Sequence, residues 1–229
     1  MKTAAIIVAA GKGTRMHTDL PKQYLPILGR PVLCYSIEAF QKAGADRIIV
    51  VVAPGEAEHC RETYLKPWGL EEVTLCEGGK ERHDSVYRGL LAAEGSDYVW
   101  IHDGARPMVD AGIIRRTLED AEVWGASVAA MPVKDPIKVS RDGAFVEGTL
   151  NRSELWMIQT PQTFRYAWIR EAHEERIRRG EAAGITDDGM LVEQLLGRPV
   201  RLTEGSYRNL KITTEEDMIL AEALLKSPR

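Results

Sequence analysis

Residues 9–22 read Ala-Ala-Gly-Lys-Gly-Thr-Arg-Met-His-Thr-Asp-Leu-Pro-Lys, an order of small, flexible and cationic residues that suits phosphate binding. Glycines at 11 and 13 let the backbone turn sharply and bring its N–H groups up to phosphate oxygens. Arg15 and Lys22 add positive charge a few residues on. Three phosphate-binding readings compete. A Walker loop fails, because Gly-x-Gly-Thr lacks the four-residue gap before Gly-Lys-Ser/Thr. A dinucleotide fingerprint has its first two glycines but Met16 in place of the third, which leaves hydride transfer weak. A triphosphate loop of nucleotidyltransferase type, with two cations aimed at the α-phosphate, accounts for Gly, Arg and Pro-Lys in this order after a first strand. The plain alternative is a Gly-rich turn with solvated cations, which a lone Gly-x-Gly would favour.

Two further segments carry similar chemistry. Gly78-Gly79-Lys80-Glu81-Arg82-His83-Asp84-Ser85 runs into a helix N-terminus, where free N–H groups favour anions or polar ligand edges. Ser85 either contacts a ligand or caps its helix, and capping is the commoner use. His102-Asp103-Gly104-Ala105-Arg106-Pro107 sets an acid at a strand's carboxyl end, where it can hold a ribose hydroxyl or a phosphate-bound metal. Arg106 can hold a second anion, or pair internally with Asp103 to shape the turn. Later stretches, Asn151-Arg152, Gln159-Thr160-Pro161-Gln162, Gly184 to Asp188 and Asn209 to Thr213, read singly as turns, caps and one basic strand residue.

These segments are spaced along alternating strands and helices. Ala4–Ala9, Arg47–Val52, Val73–Cys76, Tyr98–His102 and Ser127–Pro132 are apolar strand patterns. Between them, helices are expected over Val32–Ala43, Glu56–Tyr64, Asp84–Ala93 and from Asp110 to about Val123. That alternation implies right-handed crossovers and a mostly parallel sheet covered by helices on both faces, with ligands at the carboxyl ends of the strands. After Pro132 the pattern breaks. Ile137–Ser140 and Ala144–Val146 flank Arg141-Asp142-Gly143 as a hairpin, either a surface feature or an arm that packs on another subunit. Trp156–Thr160 reads as a strand returning to the sheet. Helices over Tyr166–Arg179, Asp187–Leu196 and Glu215–Lys226 close the chain.

The bulk numbers fit this outline. With 229 residues, 44% hydrophobic and 28% charged, one globular domain spanning 1–229 is the expectation. A net charge of −4 argues against nonspecific binding to nucleic acid or acidic membranes. Cys34, Cys60 and Cys76 lack zinc or redox spacing and read as buried thiols of a reducing cytosol. No run reaches the roughly 18 apolar residues of a membrane span, and the short apolar start reads as a strand rather than a leader, so a cytoplasmic location is expected.

Taken in order, AAGKGTRM, PKQYL, GG-x-ER-x-DSV, HDGARP, TPQ-x-F, TDD and NLKITT-x-EDM resemble one family, the 2-C-methyl-D-erythritol 4-phosphate cytidylyltransferases of the non-mevalonate isoprenoid pathway. The resemblance runs from about Ile6 to Leu224. It implies a Rossmann-like nucleotidyltransferase fold, a homodimer joined through a β-arm at about 134–155, and dependence on CTP and a divalent ion, usually Mg²⁺, held mainly by the CTP phosphates. Carried over by position, Ala9, Ala10, Gly11, Lys12 and Gly13 would line the CTP site. Gly79, Lys80 and Ser85 would face the cytosine, and Asp103 with Gly104 the ribose. Arg15 and Lys22 would stabilise charge at the α-phosphate. Arg106, Thr160, Thr186, Arg152 and Lys211 would hold the methylerythritol phosphate, with Arg152 supplied by the partner's arm. Arg15, Lys22, Arg152 and Lys211 are the expected catalytic set.

One position departs from the family pattern. Val133-Lys134-Asp135-Pro136 carries proline where the family has a threonine or serine whose hydroxyl contacts the substrate phosphate. Proline has neither hydroxyl nor N–H, so that contact is lost or replaced, with Lys138 the nearest candidate. The rival readings are a sister enzyme acting on ribitol 5-phosphate, a non-catalytic nucleotide-binding protein, and, more distantly, a dehydrogenase.

Overall fold

The computed structural model describes residues 1–11, 20–180 and 184–227. Eleven strands and seven α-helices follow in chain order among them. Strand β1 (Thr3–Val8) leads to a 3₁₀ turn (Lys22–Tyr24), a small ladder of β2 (Pro26–Ile27) with β3 (Arg30–Pro31), and helix α1 (Val32–Ala43). Next come β4 (Arg47–Val52), the short α2 (Ala57–His59) prolonged by π- and 3₁₀-turns to Trp68, β5 (Thr74–Glu77), α3 (Arg82–Ala92), β6 (Tyr98–Asp103), α4 (Ala111–Trp124) and β7 (Ala126–Pro132). The last part holds β8 (Lys138–Val139), β9 (Gly148–Thr149), β10 (Trp156–Arg165), α5 (Tyr166–Arg179), α6 (Asp188–Leu196), β11 (Arg201–Glu204) and α7 (Glu215–Lys226).

Seven strands form one sheet in the order β11-β7-β10-β6-β1-β4-β5. All run parallel except β10, which is antiparallel to both of its neighbours. The period of two in β1 feeds two cores. Ala5, Ile7 and Ala9 join Leu33, Ile37, Phe40, Ile113 and Ile114 under α1 and α4. Ala4 and Ile6 join Val86, Leu90, Ile169 and Leu191 under α3, α5 and α6. Both faces are therefore buried, which is why the central strands read as continuous apolar runs.

Local signals account for several element ends. The expected cap at Asp110 is present, its carboxylate accepting from the Ile113 amide at 2.9 Å. Helix α1 stops at Gly44, whose φ of 89° is left-handed and suits glycine. The hairpin after Pro132 differs from expectation. Its second strand is Gly148–Thr149, not Ala144–Val146. Asp142 accounts for the difference, because its carboxylate accepts from the amides of Ala144 and Phe145 and leaves neither for a ladder. Strand β10 continues to Arg165, five residues beyond the expected end, and the edge strand β11 was not expected. Among the described residues no helix is long and apolar enough to cross a membrane.

Candidate active site

The parallel strands end on one edge, and their loops continue the ladder for one more step. Ala9 donates to Val51 O at 2.8 Å, Gly78 to Val52 O at 2.7 Å and Gly104 to Val8 O at 2.9 Å. The three strand-end segments are thereby held side by side. Between them opens a cleft of about 280 Å³, lined among the described residues by Val8 to Gly11, Lys22, Gln23, Gly79 to Arg82, Ser85, Asp103, Ala105, Lys211 and Thr213. A Cβ on Gly78 would lie 2.6 Å from Ala10 Cβ and 2.7 Å from Ser85 Oγ, so glycine there lets the first two loops close on each other.

The cleft-facing turn of the first loop is pinned by the 3₁₀ turn beside it. Gln23, almost fully buried, donates through Nε2 to Ala9 O at 2.5 Å and to Gly11 O at 3.1 Å. Its neighbour Lys22 donates to Ile212 O at 2.7 Å, which ties the 3₁₀ turn to the segment before α7. In the second loop Glu81, not Ser85, caps α3, forming a reciprocal capping box with Asp84. Ser85 instead accepts from the Gly79 amide at 3.1 Å and donates to Glu81 O at 3.1 Å, fixing the loop's shape from within.

Asp103, at the end of β6, is the electrostatic centre. Lys211 Nζ lies 2.8 Å from Oδ2, Arg106 Nε 3.7 Å from Oδ2 and Arg82 Nε 3.4 Å from Oδ1. Burial alone would raise this carboxyl's pKa, but Arg82, Lys211 and Arg106 overcome it and hold the group well below the usual carboxylate range. Asp103 stays ionised at any working pH. Behind it, burial pushes the His102 imidazole down to about 4. A neutral ring that donates from Nε2 to Arg106 O at 3.3 Å leaves Nδ1 to accept from the Thr160 hydroxyl at 3.0 Å. The same hydroxyl accepts from the Asp103 amide at 3.0 Å.

The segment bearing Lys211 docks on these loops. The Asn209 amide group donates to Thr160 O at 2.9 Å and Gln159 Oε1 at 3.1 Å, Arg106 donates to Asn209 O at 2.9 Å, and the Ile212 amide to Ala105 O at 2.9 Å.

Of the expected site residues, Ala9, Ala10, Gly11, Lys22, Gly79, Lys80, Ser85, Asp103 and Lys211 all line this cleft. Gly104 adjoins it, and Arg106 and Thr160 stand in the layer behind, the Thr160 hydroxyl already engaged. Thr186 lies off the cleft lining, in a small hollow beside Arg82 and His83, with its amide and hydroxyl near Met190 Sδ. Arg152 is exposed at the base of the arm and donates to Lys134 O at 2.8 Å. Lys12, Gly13 and Arg15 lie outside the described residues. Sequence reasoning assigned no role to Gln23 or Arg82, although each sits inside a motif it singled out, PKQYL and GG-x-ER. Asn209 also heads a motif singled out there, NLKITT, but nothing in that motif marks the asparagine side chain as buried. No group of three His, Cys, Asp or Glu able to hold a metal ion occurs among the described residues.

A mostly parallel sheet whose strand-end loops gather cations about one acid, opposite a Gly-containing turn, is the arrangement of a Rossmann-like nucleotidyltransferase. The chain matches the family model of IspD, 2-C-methyl-D-erythritol 4-phosphate cytidylyltransferase, over residues 3–227, and it belongs to that family. It is 46% identical over 229 residues to the 2-C-methyl-D-erythritol 4-phosphate cytidylyltransferase of Pelotomaculum thermopropionicum, covering 99% of this chain and 95% of that one. The crystal structure of 2-C-methyl-D-erythritol 4-phosphate cytidylyltransferase from Thermus thermophilus matches with TM-score 0.82 and 36% identity, covering 99% of this chain and 100% of that one. That of 4-diphosphocytidyl-2C-methyl-D-erythritol synthase from Anaerococcus prevotii matches with TM-score 0.84 and 30% identity, covering 99% and 96%.

Proposed function

We propose that this chain transfers the cytidylyl group of CTP to 2-C-methyl-D-erythritol 4-phosphate, giving 4-diphosphocytidyl-2-C-methyl-D-erythritol and pyrophosphate. The observation that carries the reading is the cleft itself, where Asp103 with its three cations faces the Ala9–Gly11 turn and Lys22. The turn and Lys22, with Lys12, Gly13 and Arg15, would take the triphosphate. Gly79, Lys80 and Ser85 would face the base, and Asp103 with Gly104 the ribose. Lys211, Arg106, Thr160 and Thr186 would serve the acceptor, joined by Arg152 from a second subunit.

The chemistry is a direct displacement. An oxygen of the acceptor phosphate attacks the α-phosphorus of CTP, the new P–O bond forms, and the bond to the bridging oxygen breaks to release pyrophosphate. A phosphate dianion is already nucleophilic at neutral pH, so no general base is required, and the described cleft lining contains no histidine. Catalysis then rests on alignment and on cations placed where charge develops. A divalent ion, Mg²⁺ by resemblance, would neutralise the triphosphate and be held mainly by its oxygens, because Asp103 is already matched by Arg82, Arg106 and Lys211.

The arm supports a homodimer. Its strands β8 and β9 pair only with each other among the described residues, and the arm exposes Val139, Phe145, Val146 and Leu150 beside Trp156, Met157 and Ile158 at the start of β10, a run of apolar surface suited to a second copy. One nucleotidyltransferase domain with this arm at about 134–155, working in the cytoplasm without nucleic acid or membrane, completes the reading. The test is pyrophosphate release from CTP and Mg²⁺ against a panel of polyol phosphates. Release with the methylerythritol phosphate is expected. Release with ribitol 5-phosphate alone would overturn the acceptor, and no release with any acceptor would overturn the reaction.

A further inference from the structure

Two sealed polar groups take no part in this chemistry, yet they meet each other and lead to the cleft. His173 on α5 and Asp188 at the start of α6 are both fully buried. A carboxylate shut away from water must be paired. Asp188 Oδ1 lies 3.3 Å from His173 Nε2, and Oδ2 accepts from Arg82 Nη1 at 2.7 Å. The Nε edge of the same guanidinium faces Asp103 Oδ1 at 3.4 Å. His173, Asp188, Arg82 and Asp103 therefore form an unbroken series from the interior of α5 to the cleft wall. Nδ1 of His173 has no hydrogen-bond partner among the described residues, and Tyr87 stacks on the ring with centroids 6.2 Å apart. The polar side of the ring is thus turned to Asp188.

We propose that His173 is a positioning residue for the nucleotide, acting through Asp188 and Arg82 on Asp103. A carboxylate with both oxygens free draws an arginine into a two-pronged pair. By occupying Oδ1, His173 leaves Oδ2 alone for Arg82, so the guanidinium keeps Nε turned toward Asp103. Without the imidazole, Asp188 takes both prongs of Arg82 and Nε swings away. Asp103 is then left to Lys211 and Arg106, and shifts toward the acceptor side of the cleft. The inference rests on Asp103 serving the ribose. A packing role for the ring would be met equally well by an apolar side chain and would not distinguish one substrate from the other.

The test compares His173→Leu with His173→Gln, whose amide keeps an N–H donor. In His173→Leu the KM for CTP rises about tenfold, as expected when a hydrogen bond to a buried charge is lost, while the acceptor KM holds and kcat changes less. His173→Gln restores most of the loss. An unchanged KM for CTP, equal rises for both substrates, or no recovery in His173→Gln overturns the proposal. If His173→Leu does not fold, Asp188→Asn takes its place and must raise the KM for CTP in the same selective way. A second readout needs no turnover: the ¹⁵N-resolved signal of the Arg82 Nε–H in the ligand-free protein. It moves in His173→Leu or Asp188→Asn and returns in His173→Gln, and a signal that does not move overturns the relay. If the wild-type protein itself turns over no polyol phosphate, the functional reading falls, and the Arg82 signal still decides the relay.

Discussion

Lys22 reaches the cleft from a three-residue 3₁₀ turn that its middle residue, Gln23, ties to the carbonyls of Ala9 and Gly11. In the proposed displacement a cation held there would stabilise the pentacoordinate phosphorus of the transition state more than the ground-state triphosphate, so its removal should fall on turnover rather than on binding. Lys22→Ala is expected to lower kcat by about 10²–10³ with a much smaller change in CTP affinity, read by steady-state kinetics beside calorimetric titration. Near-normal turnover would remove Lys22 from the mechanism. His102 has a different consequence. Burial holds its imidazole at about 4, against an ordinary 6.5. The unfolded chain takes up a proton near 6.5 and the folded chain does not, so this group's stabilising contribution is full above that pH and is lost as pH falls toward 4. The thermal midpoint should drop across that window, and His102→Gln should drop less steeply. Equal slopes in the two proteins would contradict the assignment.

At the scale of elements, the close approach of the first two loops is the most sensitive join. Gly78→Ala forces a methyl against Ala10 Cβ and Ser85 Oγ, both under 3 Å from where it would sit. The expected cost is about 1–3 kcal/mol in denaturant unfolding, together with a raised KM for CTP if the proposed site is right, because the displaced atoms line the cleft. A stable Gly78→Ala protein with unaltered KM would show that the two loops can part without loss. The same elements explain what the sequence could and could not reveal. Helices α1, α5 and α7 were legible to the residue, since 3.6-residue periodicity ends at Gly44, at Gly180 and before Ser227. That three strand-end segments share one cleft was legible for the second, the third and the described part of the first, Ala9–Gly11 and Lys22, because Gly, Lys and Asp at strand ends have few structural uses together. Strand β11, Arg-Leu-Thr-Glu at the sheet edge, has too short an alternation to stand out. The arm's second strand was misplaced because one side chain, Asp142, competes for the backbone. Arg82 and Asp188 were invisible as partners because they are 106 residues apart in sequence, and no local pattern carries a contact of that span.

For the whole molecule, the arm is the prolongation of β7 and β10, two strands inside the sheet, rather than a loop hung on its edge. If Arg152 completes the neighbouring subunit's site, inactive proteins should repair each other. Mixing Arg152→Ala with Lys22→Ala under conditions of subunit exchange should restore about a quarter of wild-type activity, since half of the dimers would each hold one intact site. Activity no greater than the sum of the separate variants would place Arg152 in its own subunit's chemistry. The charge of the cleft bears on handling of the protein. Its described lining sets four cationic side chains, Lys22, Lys80, Arg82 and Lys211, against two carboxylates, Glu81 and Asp103, inside a chain of net charge −4. In the resting protein this local excess is a standing repulsion that any compact polyanion relieves. Inorganic pyrophosphate should therefore raise the thermal midpoint where sodium chloride at equal ionic strength does not, which makes the choice of storage buffer a matter of occupancy as much as of pH.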